Sequence, residues 1–312
     1  MDKILITGGT GFVGANFVRR FVREGNEVHL IVRESSDLWR VSDIREKLFL
    51  HTADITNKIA VDDVFRAVRP QVVLHFAAHG AGTAKDRNDA EGATAINLLG
   101  TVYLADAFAE FGGKCFINAG SSSEYGKKDH PISEDNILAP ESLYGITKAA
   151  ATLYCSNLAT QKDLPITTLR LFSPFGYFEG EGRLMLAIAR AASGLGKFEA
   201  SSPDVVRDLI FIDDVMDAFM LAIQNIQKIK GEVINIASGT QRSIAEIVAL
   251  AQKISGLKFE VIYGTLPLTK SEPKMWVADI SKANELLGWR PARTLEEGLT
   301  KYVRWIKNTS AK

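Results

Sequence analysis

Short apolar runs alternate along the chain with longer stretches of mixed polar and apolar residues. The apolar runs occupy residues 3–7, 27–32, 48–51, 72–76, 115–119, 166–172 and 233–237. Continuous apolar runs are typical of parallel strands that are covered on both faces, and the stretches between them repeat with helical periodicity. The pattern therefore predicts an α/β fold in which helices cover both faces of a doubly wound parallel sheet.

The regular alternation loosens after Gly176, where loops and glycines become frequent. We therefore predict two domains, the smaller of which is discontinuous in sequence. The larger domain is predicted at residues 1–175 plus about 208–238. The smaller C-terminal α/β domain is predicted at about 176–207 and 239–312.

The composition is typical of a globular protein with a sizeable core, since 46% of the 312 residues are hydrophobic. Equal numbers of basic and acidic residues, 37 of each, give no electrostatic case for binding nucleic acid or an anionic membrane. The two cysteines, Cys115 and Cys155, suit a reduced compartment and cannot supply a metal site. No apolar run of about 20 residues is present, so the expected location is the cytoplasm.

A glycine-rich turn joins the first predicted strand to the first predicted helix. Its residues are Gly8, Gly11, Phe12, Val13 and Gly14 together with the two residues between Gly8 and Gly11. Glycines in this position allow a tight turn and a close backbone approach to a pyrophosphate, while the helix start supplies amides and a positive dipole end. The spacing departs from the usual Gly-x-Gly-x-x-Gly, but its position between strand and helix predicts a Rossmann-type dinucleotide site.

The tip of the second strand indicates which dinucleotide is bound. An acidic residue there accepts from the adenosine ribose and favours NAD, but this chain has Val32 followed by Arg33. A guanidinium can pair with a 2′-phosphate, so the sequence favours NADP(H). NAD(H) stays possible if Arg33 is a solvated loop residue and Glu34 takes the ribose instead.

Further cofactor contacts are expected where the third and fourth strands end. Asp54 could accept from the adenine amino group while Ile55 covers the ring, or it could be the N-cap of the next helix. Ala77 and Ala78 leave room for ribose and phosphate. For His79 a hydrogen bond near the cofactor or substrate is expected rather than a general-base role, because no aspartate partner is visible. The polar loop 80–92 that follows could shift over a ligand.

Tyr144 and Lys148 form a Tyr-x-x-x-Lys pair at the start of a long predicted helix. Residues four apart lie on one helical face, so the phenol and the ammonium can point into one site. A neighbouring ammonium favours the phenolate, which makes the phenol useful in proton transfer. Taken alone, the pair also fits an ordinary amphipathic helix. A cluster of hydroxyls at the end of the fifth strand, Ser121, Ser122 and Ser123, could hydrogen-bond a carbonyl oxygen that Tyr144 protonates.

Through these residues and motifs, the chain resembles the extended short-chain dehydrogenase/reductase superfamily, in its nucleotide-sugar epimerase/dehydratase/reductase branch. The resemblance covers essentially the whole chain in the family's order. It is carried by the segments 8–14, 54–55, 75–79, 97, 121–126, 142–148, 169–176, 206–215 and 286–291.

The resemblance implies roles for individual residues. Ser121 matches the catalytic hydroxyl position, with Ser122 the next candidate, and Ser122 and Ser123 are expected on the substrate side. Phe172 and Ser173 are expected beside the nicotinamide and the substrate, respectively. The match also implies a homodimer formed through the helices that carry Asn97 and Tyr144.

Two positions have a second interpretation. Arg207 matches the position that meets the diphosphate of a nucleotide sugar, but it could also be a surface arginine paired with Asp204 or Asp208. Asn97 falls in the family's cofactor-binding set, although a buried asparagine in an apolar helix more often fixes a neighbouring backbone.

The serine loop separates the activities of the family. Its 4,6-dehydratases carry Asp-Glu directly after the catalytic hydroxyl, whereas Glu124 comes later in this chain, so a dehydratase is disfavoured. The loop instead resembles that of nucleotide-sugar 4-keto reductases, which implies NADPH-dependent reduction of a nucleotide-linked 4-keto-6-deoxy sugar. The alternatives are an NAD-dependent nucleotide-sugar 4-epimerase and, from another class, a non-catalytic dinucleotide-binding scaffold.

Overall fold

Seven parallel strands form the central sheet of the computed structural model, which describes residues 2–80, 88–265 and 274–310. The strands are β1 (Lys3–Thr7), β2 (Glu27–Val32), β3 (Leu48–Thr52), β4 (Val72–His75), β5 (Cys115–Ser121), β6 (Ile166–Leu171) and β11 (Val233–Ile236). Their order across the sheet is β11-β6-β5-β4-β1-β2-β3, so the chain order reverses between β1 and β4. The predicted Rossmann-type doubly wound sheet is confirmed.

Helices cover both faces of this sheet because side chains on successive strand residues point to opposite sides. Ile4 and Ile6 pack into one core with helices α1 (Phe12–Arg23) and α7 (Ile212–Asn225). Leu5, between them, packs into a second core on the other face. The helices on that face are α2 (Lys58–Val68), α4 (Gly100–Phe111) and α5 (Leu143–Lys162).

The helix that precedes β5 is interrupted where it passes the end of β4. It consists of α3 (Ala90–Ala93), a π-helical turn (Thr94–Leu99) and then α4. The Thr101 hydroxyl donates to the Asn97 carbonyl oxygen at 2.7 Å and so occupies an acceptor inside the turn. This irregular turn places the Asn97 side chain towards the segment after β4, where function is expected.

The C-terminal part of the chain is built from short paired strands and the remaining helices. The strands are β7 (Pro174–Phe175), β8 (Phe198–Ala200), β9 (Val206–Asp208), β10 (Ile210–Phe211), β12 (Gln241–Ser243) and β13 (Val261–Tyr263). The helices are α6 (Leu184–Ala192), α8 (Ile244–Ser255), α9 (Ser281–Leu287) and α10 (Leu295–Ser310). Strand β7 pairs with β10, β9 with β12 and β8 with β13. No helix in the described ranges is long and apolar enough to cross a membrane.

The chain returns to the large sheet at β11, which pairs in parallel with β6. This return is what a discontinuous smaller domain requires, although the domain limits stay a prediction.

A buried histidine makes the stability of this fold depend on pH. His75, on β4, is fully buried and bonds the hydroxyls of Thr7 at 2.6 Å and Thr101 at 2.8 Å. Burial, helped by the positive charge of Lys148, lowers the pKa of the imidazole to about 3. An unfolded histidine titrates near 6.5, so the unfolded chain binds the extra proton first as the pH falls.

We therefore expect the free energy of unfolding to fall as the pH drops from about 6.5 towards 3, by about 1.4 kcal/mol for each unit of pKa difference that is traversed. His75→Gln keeps hydrogen-bonding groups but removes this titration, so its denaturation midpoints should change less over that window than those of the native protein. The exposed His130→Gln is the control and should follow the native curve. Parallel curves for His75→Gln and the native protein would contradict the assignment.

Candidate active site

A cavity of about 240 Å³ opens at the carboxyl ends of β1, β2 and β4, where the strand order reverses. Ligands bind at this position in open α/β sheets. Predicted cofactor residues that line it are Gly8, Gly11, Arg33, Asp54, Ile55, Ala77, Ala78 and His79. Lining residues that the motifs did not single out are Thr7, Thr10, Ile31, Ser36, Ala53, Phe76 and Ile96. Three of these, Thr7, Ala53 and Phe76, lie directly beside a predicted residue at a strand end, and that adjacency is the signal that could have found them.

The glycine turn forms a cradle that only glycines can form. Gly8 has a φ of +67°, and a Cβ there would lie 2.5 Å from the Ala77 nitrogen. A Cβ on Gly14 would lie 2.2 Å from the Gly8 carbonyl oxygen. Gly11 is the N-cap of α1 and has no side chain to bond the first helical amides, so these amides suit an anion. Phe12, Val13 and Gly14 do not line the cavity but form the first turn of α1. The residues present therefore fit a dinucleotide.

A basic side chain occupies the tip of β2. Val32 is buried, whereas Arg33 lines the cavity and its backbone N–H donates to the Ser36 hydroxyl at 2.9 Å. Ser36 also lines the cavity, whereas Glu34 is exposed and does not. A guanidinium and a hydroxyl, rather than a carboxylate from this loop, therefore face the site.

Asp54 is not the cap of the helix that follows it. Its carboxylate accepts from the Thr56 backbone N–H at 2.9 Å and from the Thr56 hydroxyl at 2.8 Å. Asn57 is the N-cap of α2 and accepts from the Ala60 N–H. Asp54 is free to face the cavity, so the capping alternative is wrong.

Asp89 lies beside His79, a neighbour that the sequence did not reveal. His79 Nε2 lies 3.0 Å from Asp89 Oδ2, but the geometry is not that of a hydrogen bond. Asn97 holds the His79 backbone from both sides, because Oδ1 accepts from its N–H at 2.7 Å and Nδ2 donates to its carbonyl oxygen at 2.9 Å. Asn97 is completely buried and is absent from the cavity lining, so it fixes His79 instead of facing the cofactor site. Residues 81–87 of the loop expected to shift lie outside the described residues.

Ser121 and Tyr144 meet because the turn after β5 packs directly on the start of α5. The 3-10 turn Ser122–Glu124 follows Ser121, and a Cβ on Gly145 would lie 2.4 Å from the Ser123 carbonyl oxygen. The Ser142 hydroxyl caps α5 by accepting from the Gly145 N–H at 3.0 Å. The Ser121 hydroxyl comes close enough to the Tyr144 phenol to influence its pKa as a result.

Charges around this pair act in opposite directions. Burial raises the pKa of Tyr144, and the Ser121 hydroxyl and the positive charge of Arg183 partly counter this, whereas the charge of Glu124 adds to it. Burial lowers the pKa of Lys148, and the charge of Glu124 opposes that shift. Lys148 is 2% exposed, and no hydrogen bond or ion pair to it is found within the described residues. The expected influence of Lys148 on Tyr144 is therefore less direct than that of Ser121 and Arg183.

Glu124 is not placed to act on a substrate. It is fully buried and bonded to the Ser121 backbone N–H at 2.8 Å and to Arg170 Nε at 2.7 Å. The dehydratase role that its sequence position left in doubt is therefore not supported. Arg170 and Arg183 were both missed by the sequence, because only the folded chain brings β6 and the start of α6 to this site.

The remaining predicted residues have different surroundings. Phe172 is fully buried in a small core with Tyr125 and Trp276 and does not line the cavity at the strand ends, so its expected cofactor contact stays a prediction. Ser122 is 6% exposed and Ser123 is partly buried.

Two predicted substrate residues lie beyond β6. Ser173 follows β6 with a φ of +30°, a conformation that a non-glycine residue rarely adopts. Arg207 lies on β9, partly buried, and its Nη1 donates to the Val206 carbonyl oxygen at 2.7 Å. The Asp208 carboxylate accepts from the backbone N–H groups of Ser238 at 2.8 Å and Ala278 at 3.0 Å.

Comparison with known proteins agrees with this geometry. UDP-glucose 4-epimerase of Bacillus subtilis is 30% identical over 97% of this chain and 96% of its own length. The crystal structure of UDP-glucose 4-epimerase from Thermotoga maritima with UDP-glucose is 28% identical and superposes with a TM-score of 0.88 over 99% of both chains. UDP-glucuronic acid 4-epimerase from Bacillus cereus, in complex with UDP-glucuronic acid and NAD, is 28% identical with a TM-score of 0.83 over 98% of this chain and 99% of that one.

A sequence model of the NAD dependent epimerase/dehydratase family matches residues 4–237, which is most of the chain. The match contains the glycine cradle, the cavity lining and the Ser121, Tyr144 and Lys148 side chains. The chain therefore belongs to the NAD dependent epimerase/dehydratase family.

Proposed function

We propose that this protein is a 4-epimerase of a UDP-linked sugar that uses a nicotinamide dinucleotide. The observation that carries the proposal is the proximity of the Ser121 hydroxyl and the Tyr144 phenol on a helix that also carries the buried Lys148, in a fold with a dinucleotide cavity at its strand ends. Relatives that match nearly the whole chain are UDP-sugar 4-epimerases, which supports the same reaction.

Different side chains contribute to the two half-reactions, the oxidation of a sugar hydroxyl and the reduction of the resulting ketone. A bound nicotinamide dinucleotide supplies a reversible hydride acceptor. Tyr144 takes the proton from the C4 hydroxyl and later returns it, while Ser121 hydrogen-bonds the same oxygen. The Lys148 ammonium holds the nicotinamide ribose and favours the phenolate. Epimerisation then requires the C4 ketone to turn its other face towards the hydride that is returned to it, while Tyr144 gives the proton back to the C4 oxygen.

The substrate side is proposed to include the remaining hydroxyls and one arginine. Ser122, Ser123 and Ser173 would contact the sugar, and Arg207 would meet the diphosphate as a bidentate donor. We also propose a homodimer, because Ile146, Leu153 and Leu99 are exposed apolar residues on or next to the helices expected at its interface.

The second candidate is the NADPH-dependent reduction of a nucleotide-linked 4-keto sugar. Arg33 and Ser36 favour it, because both line the cavity at the tip of β2 and suit a 2′-phosphate. The two candidates share Tyr144, Ser121 and Lys148 and differ in whether the dinucleotide is retained through the cycle or consumed.

Arg183 refines the substrate of the proposed epimerase. It immediately precedes α6, its side chain is partly exposed, and its charge reaches the Tyr144 phenol. Its Nε also lies 3.3 Å from the carboxylate of the buried Glu179, so a substrate carboxylate would share the guanidinium with Glu179. A cation at this place favours a sugar that carries a carboxylate. UDP-glucuronic acid, the ligand of the Bacillus cereus neighbour, is such a sugar.

Replacing Tyr144 tests the proposed chemistry. Tyr144→Phe removes the proton carrier but not the ring, so we expect kcat for interconversion of UDP-sugar epimers to fall by a factor of about 100 or more. Dinucleotide binding should be retained, which a titration can verify. Full turnover in Tyr144→Phe would refute the mechanism, and native protein that binds dinucleotide but turns over neither UDP-sugars nor 4-keto sugars would indicate a scaffold.

Cofactor titration separates the two candidate reactions. Arg33→Ala should weaken binding of NADPH about tenfold or more, because a charge-assisted hydrogen bond is lost, and should leave NADH binding unchanged. Glu34→Ala, at the exposed neighbour, is the matched control and should alter neither affinity. NAD that co-purifies with the native protein supports the epimerase, whereas exchangeable NADPH of higher affinity supports the reductase.

Substrate kinetics test the role of Arg183. Arg183→Gln should raise KM for UDP-glucuronate about tenfold or more and change KM for UDP-glucose by less than about threefold, since only the former presents a carboxylate. Arg190→Gln is the matched control, because Arg190 lies in the adjoining helix α6 and pairs with Glu181, as Arg183 pairs with Glu179. If Arg183→Gln changed KM equally for both sugars, Arg183 would not recognise the sugar carboxylate.

A further inference from the structure

Glu124 and Arg170 form a completely buried ion pair directly behind the Ser121 hydroxyl. The carboxylate is 0% exposed and the Arg170 residue 3% exposed. One carboxylate oxygen, Oε1, accepts from the Ser121 backbone N–H at 2.8 Å, and the other, Oε2, accepts from Arg170 Nε at 2.7 Å. Both oxygens are therefore occupied by donors of this chain, and neither reaches a ligand.

The pair is held in turn by groups from other strands. The Arg170 guanidinium lies 4.4 Å from the centre of the Tyr125 ring. The Tyr125 hydroxyl donates to Asn235 Oδ1 at 2.7 Å, and Asn235 Nδ2 donates to the Ile132 carbonyl oxygen at 3.0 Å. The contacts join the ends of β5, β6 and β11, so the position of Glu124 is fixed by three strands.

The space for this arrangement is provided by a glycine. A Cβ on Gly120 would lie 2.9 Å from Glu124 Oε1 and 2.9 Å from Arg170 Cγ. Any larger residue at position 120 would push the carboxylate away from the Ser121 amide. The close fit shows that the pair is packed into place on the strand that carries Ser121.

Stability alone gives no reason to bury this pair. The desolvation of two charges consumes much of their attraction, and apolar residues of similar volume are often equally stable in such places. What an apolar pair cannot do is accept the Ser121 N–H and hold the start of the turn Ser122–Glu124.

We propose that Glu124 is a positioning residue, which Arg170 holds against the Ser121 amide so that the Ser121 hydroxyl stays beside the Tyr144 phenol. The inference rests on the proposed function, since it assigns the pair to the serine and tyrosine that act on the sugar. Glu124 itself exchanges no proton with the substrate.

The first variant removes both charges together. Glu124→Met/Arg170→Met should fold, because no buried charge is left without a partner. Its kcat should fall about 10- to 100-fold while KM for the nucleotide sugar changes less than threefold, since a small misplacement of a reacting group has effects of that size. An unchanged kcat in the folded double variant would overturn the proposal.

The control removes an ion pair elsewhere that also contains a buried carboxylate. Arg293 has a side chain that is 25% exposed and also contacts Asp213 and Asp217, so the control removes more ionic contacts than the first variant. Asp214 is 1% exposed, and its Oδ1 accepts from the Ala292 N–H and from Arg293 Nη1, both at 2.8 Å. Asp214→Met/Arg293→Met should alter thermal stability and leave kcat at the native value. An equal loss of kcat in this control would show that the effect is a general one of lost stability, which would also overturn the proposal.

A single variant covers the case in which the double variant does not fold. Glu124→Gln keeps the side-chain volume, but the Ser121 N–H and Arg170 Nε approach different carboxylate oxygens, so one of these donors would face the amide NH2 group. It should lower kcat about tenfold or more with little change in KM. Native kcat in Glu124→Gln would then overturn the proposal.

A crystal structure provides a readout that needs no turnover. In Glu124→Met/Arg170→Met, or in Glu124→Gln if the former does not fold, the Ser121 hydroxyl should move away from the Tyr144 phenol, and in the Asp214→Met/Arg293→Met control it should keep its native position. If the native protein turns over no nucleotide sugar, the proposed function fails while this comparison still decides the positioning role. An unchanged position of the Ser121 hydroxyl in the first variants would overturn it.

Discussion

The candidate site depends on one contact, the packing of the Ser123 carbonyl against Gly145. Because glycine leaves this place open, the turn after β5 can lie on the first turn of α5. Two hydroxyl-bearing side chains that are distant in sequence, Ser121 and Tyr144, then meet without any loop having to order itself around a ligand. The reacting groups are preorganised by the same backbone packing that joins the sheet to its longest covering helix.

Burial gives this arrangement its electrostatic character. In a medium that solvates charge poorly, each nearby ion changes the proton affinity of its neighbours over several ångströms. Lys148 lacks a partner among the described residues, and both carboxylate oxygens of Glu124 are occupied by Arg170 and Ser121. The positive charge of Arg183, from the C-terminal part of the chain, acts on the phenol. The free protein thus holds Tyr144 protonated and Lys148 short of a counter-charge, which leaves both groups ready to respond to a bound ligand.

The sequence predicted those parts of the site that lie at the ends of strands. Gly8, Asp54 and Ala77 each follow an apolar run, and in a parallel sheet all such ends lie at one edge. It could not distinguish Phe172 from a cavity residue, because whether a side chain after a strand faces a ligand or a core depends on what packs against it, here Tyr125 and Trp276.

The charged neighbours of His79 and Glu124 could not be predicted from the sequence for a related reason. Asp89 beside His79 and Arg170 beside Glu124 are joined only by the folded chain, and a single sequence contains no local signal for such pairs. The π-helical turn that aims Asn97 at His79 was likewise invisible, since its residues have ordinary helical periodicity.

The late return of the chain to the sheet has a consequence for synthesis. β11 is made after β7 to β10 and α7, yet it pairs with β6 and carries Asn235, which anchors Tyr125. While the ribosome adds the intervening segment, one edge of β6 stays unpaired and Tyr125, beside the turn Ser122–Glu124, lacks its acceptor. An unprotected edge strand is a site for mispairing with other chains. Nascent protein is thus open to mispairing at this edge until residue 236 has left the exit tunnel, and the turn Ser122–Glu124 gains its final support only then.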